Sequence, residues 1–114
     1  MPPKKNPLKL NPLQLKTLTL FQELARDPHY STRDAASGDV AIAHIPHPHG
    51  DHFHVGAQTV MARDATGLSI PSVWVALERK GMIRGDFPYA VTLTAAGIAY
   101  ETGMEAEIFH GSDH

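Results

Sequence analysis

The apolar residues of this chain change period part-way along it, and an all-helical or all-strand fold cannot hold both patterns. Leu13, Leu18, Phe21, Leu24 and Ala25 recur at helical spacing, and Asn11 before Pro12 supplies an N-cap with proline at the first helical position. A helix over residues 12–26 is predicted, ended at Asp27-Pro28 because the residue before a proline is pushed out of the α region. From Asp39 to Gly56 the period becomes two. Val40, Ile42 and His44 alternate before a reversal at His49-Gly50-Asp51-His52, and Phe53 and Val55 alternate after it. Gly followed by Asp suits a two-residue type II′ turn, so residues 39–56 read as a β-hairpin and the fold class as α+β.

The segments around these two follow from their punctuation. Tyr30 to Gly38, with few large apolar residues, reads as a surface loop. Ala57 to Thr66 reads as a helix stopped by Gly67, and Ser69-Ile70-Pro71 starts another that buries Val73, Trp74 and Leu77 and ends at Gly81. Trp74 is assigned to the core. Ile83 to Leu93 reads as a short two-stranded element, and Thr94 caps a last helix through Ala99 and Tyr100. A chain of 114 residues, 42% hydrophobic, can close one core. The expected organisation is a disordered arm over 1–12, a single domain over 13–102 and a loose tail over 103–114 with a partial helical turn.

The run Ala57-Gln-Thr-Val-Met-Ala-Arg-Asp-Ala-Thr-Gly-Leu-Ser69, then Val73-Trp74, Leu77-Glu-Arg-Lys-Gly-Met-Ile83, Leu93-Thr94 and Gly97, resembles the winged helix-turn-helix family over about residues 57–101, with helix 13–26 as its first helix. The resemblance implies a core of three to four helices and a short wing. The His-rich hairpin after helix one makes it a variant. It also implies a double-stranded DNA partner, with the helix from Ile70 to Lys80 in the major groove and Arg84 near the wing approaching phosphate. The candidate contacts are Arg63, Ser69, Ser72, Arg79, Lys80 and Arg84. Ser69, Pro71, Ser72, Val75 and Ala76 at the front of that helix are small and apolar, whereas base reading needs Arg, Asn or Gln donors. A formal charge of −2 gives no broad positive field, so any such binding has to come from a local patch. The competing expectation is a protein-interaction module on the same scaffold, docking a partner or a second copy on Val75 and Ala76.

His44, His47, His49, His52 and His54 crowd the hairpin segment. Side chains two apart share a strand face, so with Gly50-Asp51 as the turn His49 opposes His52 and His47 opposes His54, all on one side. Such a face could hold zinc or nickel, and a DNA-binding regulator carrying it would be metal-responsive. A turn at Pro48 to Asp51 instead keeps His47, His52 and His54 together and moves His49 to the tip. His44 falls on the apolar side with Ile42 and is expected in the core. There is no cysteine, which leaves His, Asp and Glu as the strong metal ligands.

His47-Pro-His-Gly-Asp-His52 also fits the His-x-His-x-Asp-His signature of the metallo-β-lactamases, which implies a small metal-dependent hydrolase. Those enzymes need a fold about twice this long, with further ligands from distant loops, and the primary expectation is a protein that is not an enzyme. Met1 to Pro12 is broken by prolines and has no apolar run of the signal-peptide kind, and no stretch is long enough to span a bilayer. A cytoplasmic location without membrane contact is expected.

Overall fold

A computed structural model describes residues 6–43, 45, 51–55, 58–87 and 89–109. The fold is α+β, and its centre is the helix that the first apolar period predicts, α1 (Pro12–Ala25). Asn11 Oδ1 accepts the Gln14 N–H at 2.8 Å and Gln14 Oε1 accepts the Asn11 N–H at 3.0 Å, so two orphan donors of the first turn are satisfied reciprocally. At the other end Ser31 Oγ donates to the carbonyls of Ala25 (3.0 Å) and Asp27 (2.9 Å). Helix α1 is buried almost all round, not along one stripe: Leu15, Leu18, Leu20, Phe21 and Leu24 are buried, and so are Thr17, Thr19 and Gln22. The hydroxyls of Thr17 and Thr19 donate to the carbonyls of Leu13 and Leu15 one turn back. Gln22 Nε2 donates to the carbonyls of Gly97 (2.9 Å) and Tyr100 (2.8 Å), tying the C-terminal part of the chain to this central helix.

Against α1 lies an antiparallel sheet of four strands in the order β1-β2-β6-β5. Its members are β1 (Ser31–Arg33), β2 (Val40–Ile42), β5 (Ile83–Asp86) and β6 (Ala90–Leu93). Val40 pairs with Leu93, Ile42 with Val91, and Ile83 with Leu93, so one face carries these buried apolar residues toward the core. The opposite face runs Thr32, Ala41, Thr92 and Arg84 in register. A smaller sheet pairs β3 (His52–Val55) with β4 (Gln58–Met61), joining Phe53 to Val60 and His54 to Thr59.

Three local expectations change here. The segment Tyr30 to Gly38, read as a loop, contains β1. Its three residues bury little, so it is held by backbone pairing and leaves no apolar signature. Of the hairpin expected over 39–56, the described strand Val40–Ile42 does not pair with β3, and residues 46–50 around the turn lie outside the described residues. Val40–Ile42 lies between β1 and β6 in the larger sheet, whereas β3 pairs forward with β4 among the described residues. Alternation identifies a strand and its faces but not its partner, and a nearby turn signal favoured the wrong one. The helix expected over 57–66 is replaced by β4 and two 3-10 turns, Ala62–Asp64 and Thr66–Ser69. Thr59 and Val60 are both buried, so β4 is covered on both faces and lacks the alternation that would mark it as a strand.

Beyond this region two helices form where the sequence punctuation predicts them. Helix α2 (Pro71–Arg79) starts with proline at N1, buries Val73, Trp74 and Leu77, and ends at Gly81, whose φ of 78° lies in the left-handed region. Thr94 Oγ1 caps α3 (Ala95–Ala99) by accepting the Gly97 N–H at 3.0 Å. In the C-terminal segment α4 (Glu105–Ile108) buries Ile108, and Met104 is buried with it. In the N-terminal segment Asn6 bonds both backbone groups of Leu10 and accepts the Tyr100 hydroxyl, so residues 6–10 turn back onto the body of the domain. Among the described residues no helix is long and apolar enough to cross a membrane.

Candidate nucleic-acid interface

The predicted contact surface centres on α2. Burial of Val73, Trp74 and Leu77 turns Ser72, Val75 and Arg79 to the exposed side, with Pro71 beside them and Ala76 half-buried. Ser69, at the end of the second 3-10 turn, is exposed just ahead of the helix. The turn that presents it is held against α1. A Cβ on Gly67 would stand 1.9 Å from Thr17 Oγ1 and 3.4 Å from Val73 Cγ1, so only glycine lets the turn approach that closely.

The strand pair β5–β6 is locked to the same helix. The Trp74 ring packs edge-on against Phe21 (centroids 5.2 Å, 82°) and against Phe87 (5.0 Å, 88°), Phe87 lying in the turn between the two strands. Trp74 Nε1 donates to the Leu68 carbonyl at 3.2 Å, which satisfies its polar edge. Gly85 lies over the indole, where a Cβ would be 3.1 Å from Cε3, and its N–H donates to Glu78 Oε1 at 3.3 Å. Helix, turn and strand pair therefore present their exposed residues on one framework.

The predicted cations are not equivalent on that framework. Arg63 and Arg79 are exposed and have no ion-pair or hydrogen-bond partner among the described residues. Lys80 Nζ donates to the Leu8 carbonyl at 2.7 Å, and the Leu8 N–H donates to the Tyr100 hydroxyl at 3.2 Å. Arg84 Nη2 lies 2.7 Å from Asp39 Oδ2, while Asp39 Oδ1 accepts the Ala95 N–H at 3.0 Å. The Arg84 guanidinium foremost, and then that backbone bond, hold the Asp39 carboxyl below the ordinary Asp value. Glu78 and Asp86 are exposed on the same helix and strand pair and add negative charge. The arrangement offers two guanidinium groups with no partner among the described residues and two exposed serine hydroxyls, donors that either phosphate oxygens or base edges can accept from.

Sequence reasoning did not find Asp39, Phe87 or the Leu8 carbonyl as determinants of this surface. Their partners lie tens of residues away and no local pattern marks them.

His47 and His49 lie outside the described residues, as does the side chain of His52, and so does His44, expected in the core. His54 is exposed on β3 opposite Thr59. Among the described residues no three His, Cys, Asp or Glu side chains group in a way that could hold a metal ion. The outer face of the larger sheet carries a shallow depression lined by Ala41, Ala43, Arg84, Asp86, Ala90 and Thr92. The chain matches no known family model, no curated protein and no solved structure.

Proposed function

We propose that this chain is a winged helix-turn-helix module that binds double-stranded DNA, in the manner of a transcriptional regulator. The observation that carries the reading is the exposed row Ser72, Val75 and Arg79 on α2, preceded by Ser69, beside a strand pair fixed to that helix through Phe87 and Trp74. Two features expected from the resemblance support it: a helix ending at Lys80-Gly81 that leads into a short two-stranded wing, and a capped helix after Leu93-Thr94; the helix expected ahead of the Gly-Leu-Ser turn is replaced by β4 and two 3-10 turns. Ser69, Ser72, Arg63 and Arg79 are the contacts, and contact is made chiefly to the backbone of the duplex.

The test is fluorescence anisotropy of a labelled random-sequence duplex titrated with the full chain at low and moderate salt. Counterion release gives a log–log slope of roughly −0.9 per phosphate neutralised, so two uncommitted arginines predict a slope near −2. Arg79→Ala should bring it near −1, by the same rule of roughly −0.9 per contact. Absence of binding at about 20 mM salt, where phosphate contacts are strongest, overturns the reading.

A second reading is favoured by one observation: among the described residues Val75 and Tyr89 are the large hydrophobic residues left exposed, at 47% and 76%. A contiguous exposed apolar patch marks a protein contact site, and Val75 on α2 is the residue on which such a patch would centre. Sedimentation at increasing protein concentration separates the two readings, since a chain that stays monomeric and binds no polypeptide through Val75 fits DNA contact alone.

A further inference from the structure

Arg84 stands at the place where the resemblance puts a phosphate contact, yet its charge is already committed. It lies on the outer face of β5, in register with Thr92 and Ala41, and these short side chains leave room for the guanidinium to extend across the sheet. Asp39 shares that face of the chain, two residues before Ala41, and its Oδ2 meets Arg84 Nη2 at 2.7 Å. The other carboxylate oxygen is anchored by the Ala95 N–H at 3.0 Å. Asp39 is only 14% exposed in its side chain, whereas Arg84 is 64% exposed. The acid is thus the fixed member of the pair and the arginine the one that can leave. Arg33 and Asp34 line a second shallow depression together with Asp39 and Arg84, so its cationic and anionic groups balance.

We propose that Asp39 acts as a built-in phosphate surrogate that holds Arg84 away from the nucleic-acid backbone and sets the DNA affinity of the module below what its cations could supply. This rests on the DNA-binding reading above. A carboxylate offers the guanidinium the same kind of charged oxygen that a phosphate offers, and an exposed pair of this type is weak enough to be exchanged. While the pair is closed, Arg84 releases no counterion from DNA and Asp39 adds a negative charge beside the wing. The device limits non-specific binding, as a repulsive element placed against unwanted partners does.

The experiment is the same anisotropy titration on wild type, Asp39→Asn and the double variant Asp39→Asn/Arg84→Ala. Asparagine keeps an oxygen for the Ala95 N–H, and Asp39→Ser, with a hydroxyl acceptor, serves as a second neutral variant. Freeing one arginine should steepen the salt slope by about 0.9, so the affinity advantage of Asp39→Asn over wild type should grow about 3.5-fold between about 200 and 50 mM salt. Adding Arg84→Ala should return the slope to the wild-type value. Wild-type binding with an unchanged slope in both neutral variants overturns this proposal and leaves the DNA reading standing. A steeper slope that survives Arg84→Ala also overturns it, because the gain then comes from the lost negative charge alone. No binding by any variant at low salt overturns the DNA reading and this inference with it.

Discussion

Replacing Gly67 by alanine tests how the 3-10 turn ahead of α2 is seated on α1. The added Cβ would come within 1.9 Å of Thr17 Oγ1, 3.2 Å of Thr17 Cβ and 3.4 Å of Val73 Cγ1. Two effects oppose one another. Alanine restricts the unfolded chain and would favour folding by about 0.4–1 kcal/mol, and Gly67 does not have the positive φ that would forbid it. Against this, overpacking a filled site costs about 1–3 kcal/mol. Thr17 cannot yield cheaply, because it is β-branched, fully buried and bonded through Oγ1 to the Leu13 carbonyl at 2.8 Å. Turning it away adds about 1 kcal/mol for the lost hydrogen bond. The net expectation is a loss of about 1–3 kcal/mol, a fall in melting temperature of roughly 5–15 °C for a domain of this size. Urea unfolding followed by the fluorescence of Trp74, the chain's one tryptophan, measures it. Thr17→Ala removes the clashing oxygen, so the double variant should be more stable than the sum of the single losses by at least about 1 kcal/mol. A Gly67→Ala protein as stable as wild type, or strictly additive losses, would refute the close-approach argument.

Two further outcomes follow from the contacts around the wing and the larger sheet. Phe87→Ala removes the edge-to-face partner of Trp74 at 5.0 Å and part of its cover. A loss of about 1–3 kcal/mol is expected with a red shift of Trp74 emission; unchanged emission would mean that the ring pair does not hold the β5–β6 turn. Asp39, whose carboxyl titrates below its ordinary value because of Arg84 and the Ala95 N–H, contributes stability that is present above the unfolded Asp pKa and lost as pH falls through the lowered folded value. The stability gap between wild type and Asp39→Asn, read from urea midpoints, should therefore be full at neutral pH, shrink from about pH 4 downward and close in stronger acid. A gap that stays constant into strong acid would contradict this.

The elements legible in the sequence are those whose determinants are local. Asn11, Pro12 and Gln14 define the start of α1 within one turn of chain; Pro71 and Gly81 bracket α2; Thr94 caps α3; Val91 and Leu93 mark the inner face of β6. Each depends on a backbone conformation or a hydrogen bond that neighbours a few residues apart can specify. The sequence by itself therefore determined α1, α2 and α3, the strand pair after α2 and the burial of Trp74, but not the strand and 3-10 turns over 58–69, and it singled out Ser72 and Arg79 on α2 and Ser69 just ahead of it, all three exposed.

Tertiary structure decided pairing and the disposition of charge. Whether Val40–Ile42 lies against the strand at His52 or against the one at Ala90 depends on which apolar faces fit over α1, a comparison made across some fifty positions of chain. The stretch from Gln58 to Met61 becomes a strand because both of its faces are covered, which erases the alternation a sequence could display. Lys80 and Arg84 look like free cations in the sequence, and only folding brings the Leu8 carbonyl and the Asp39 carboxylate to them. Ion pairs and sheet partners are set by distances in space, and residues far apart in the chain carry no local imprint of whom they will meet.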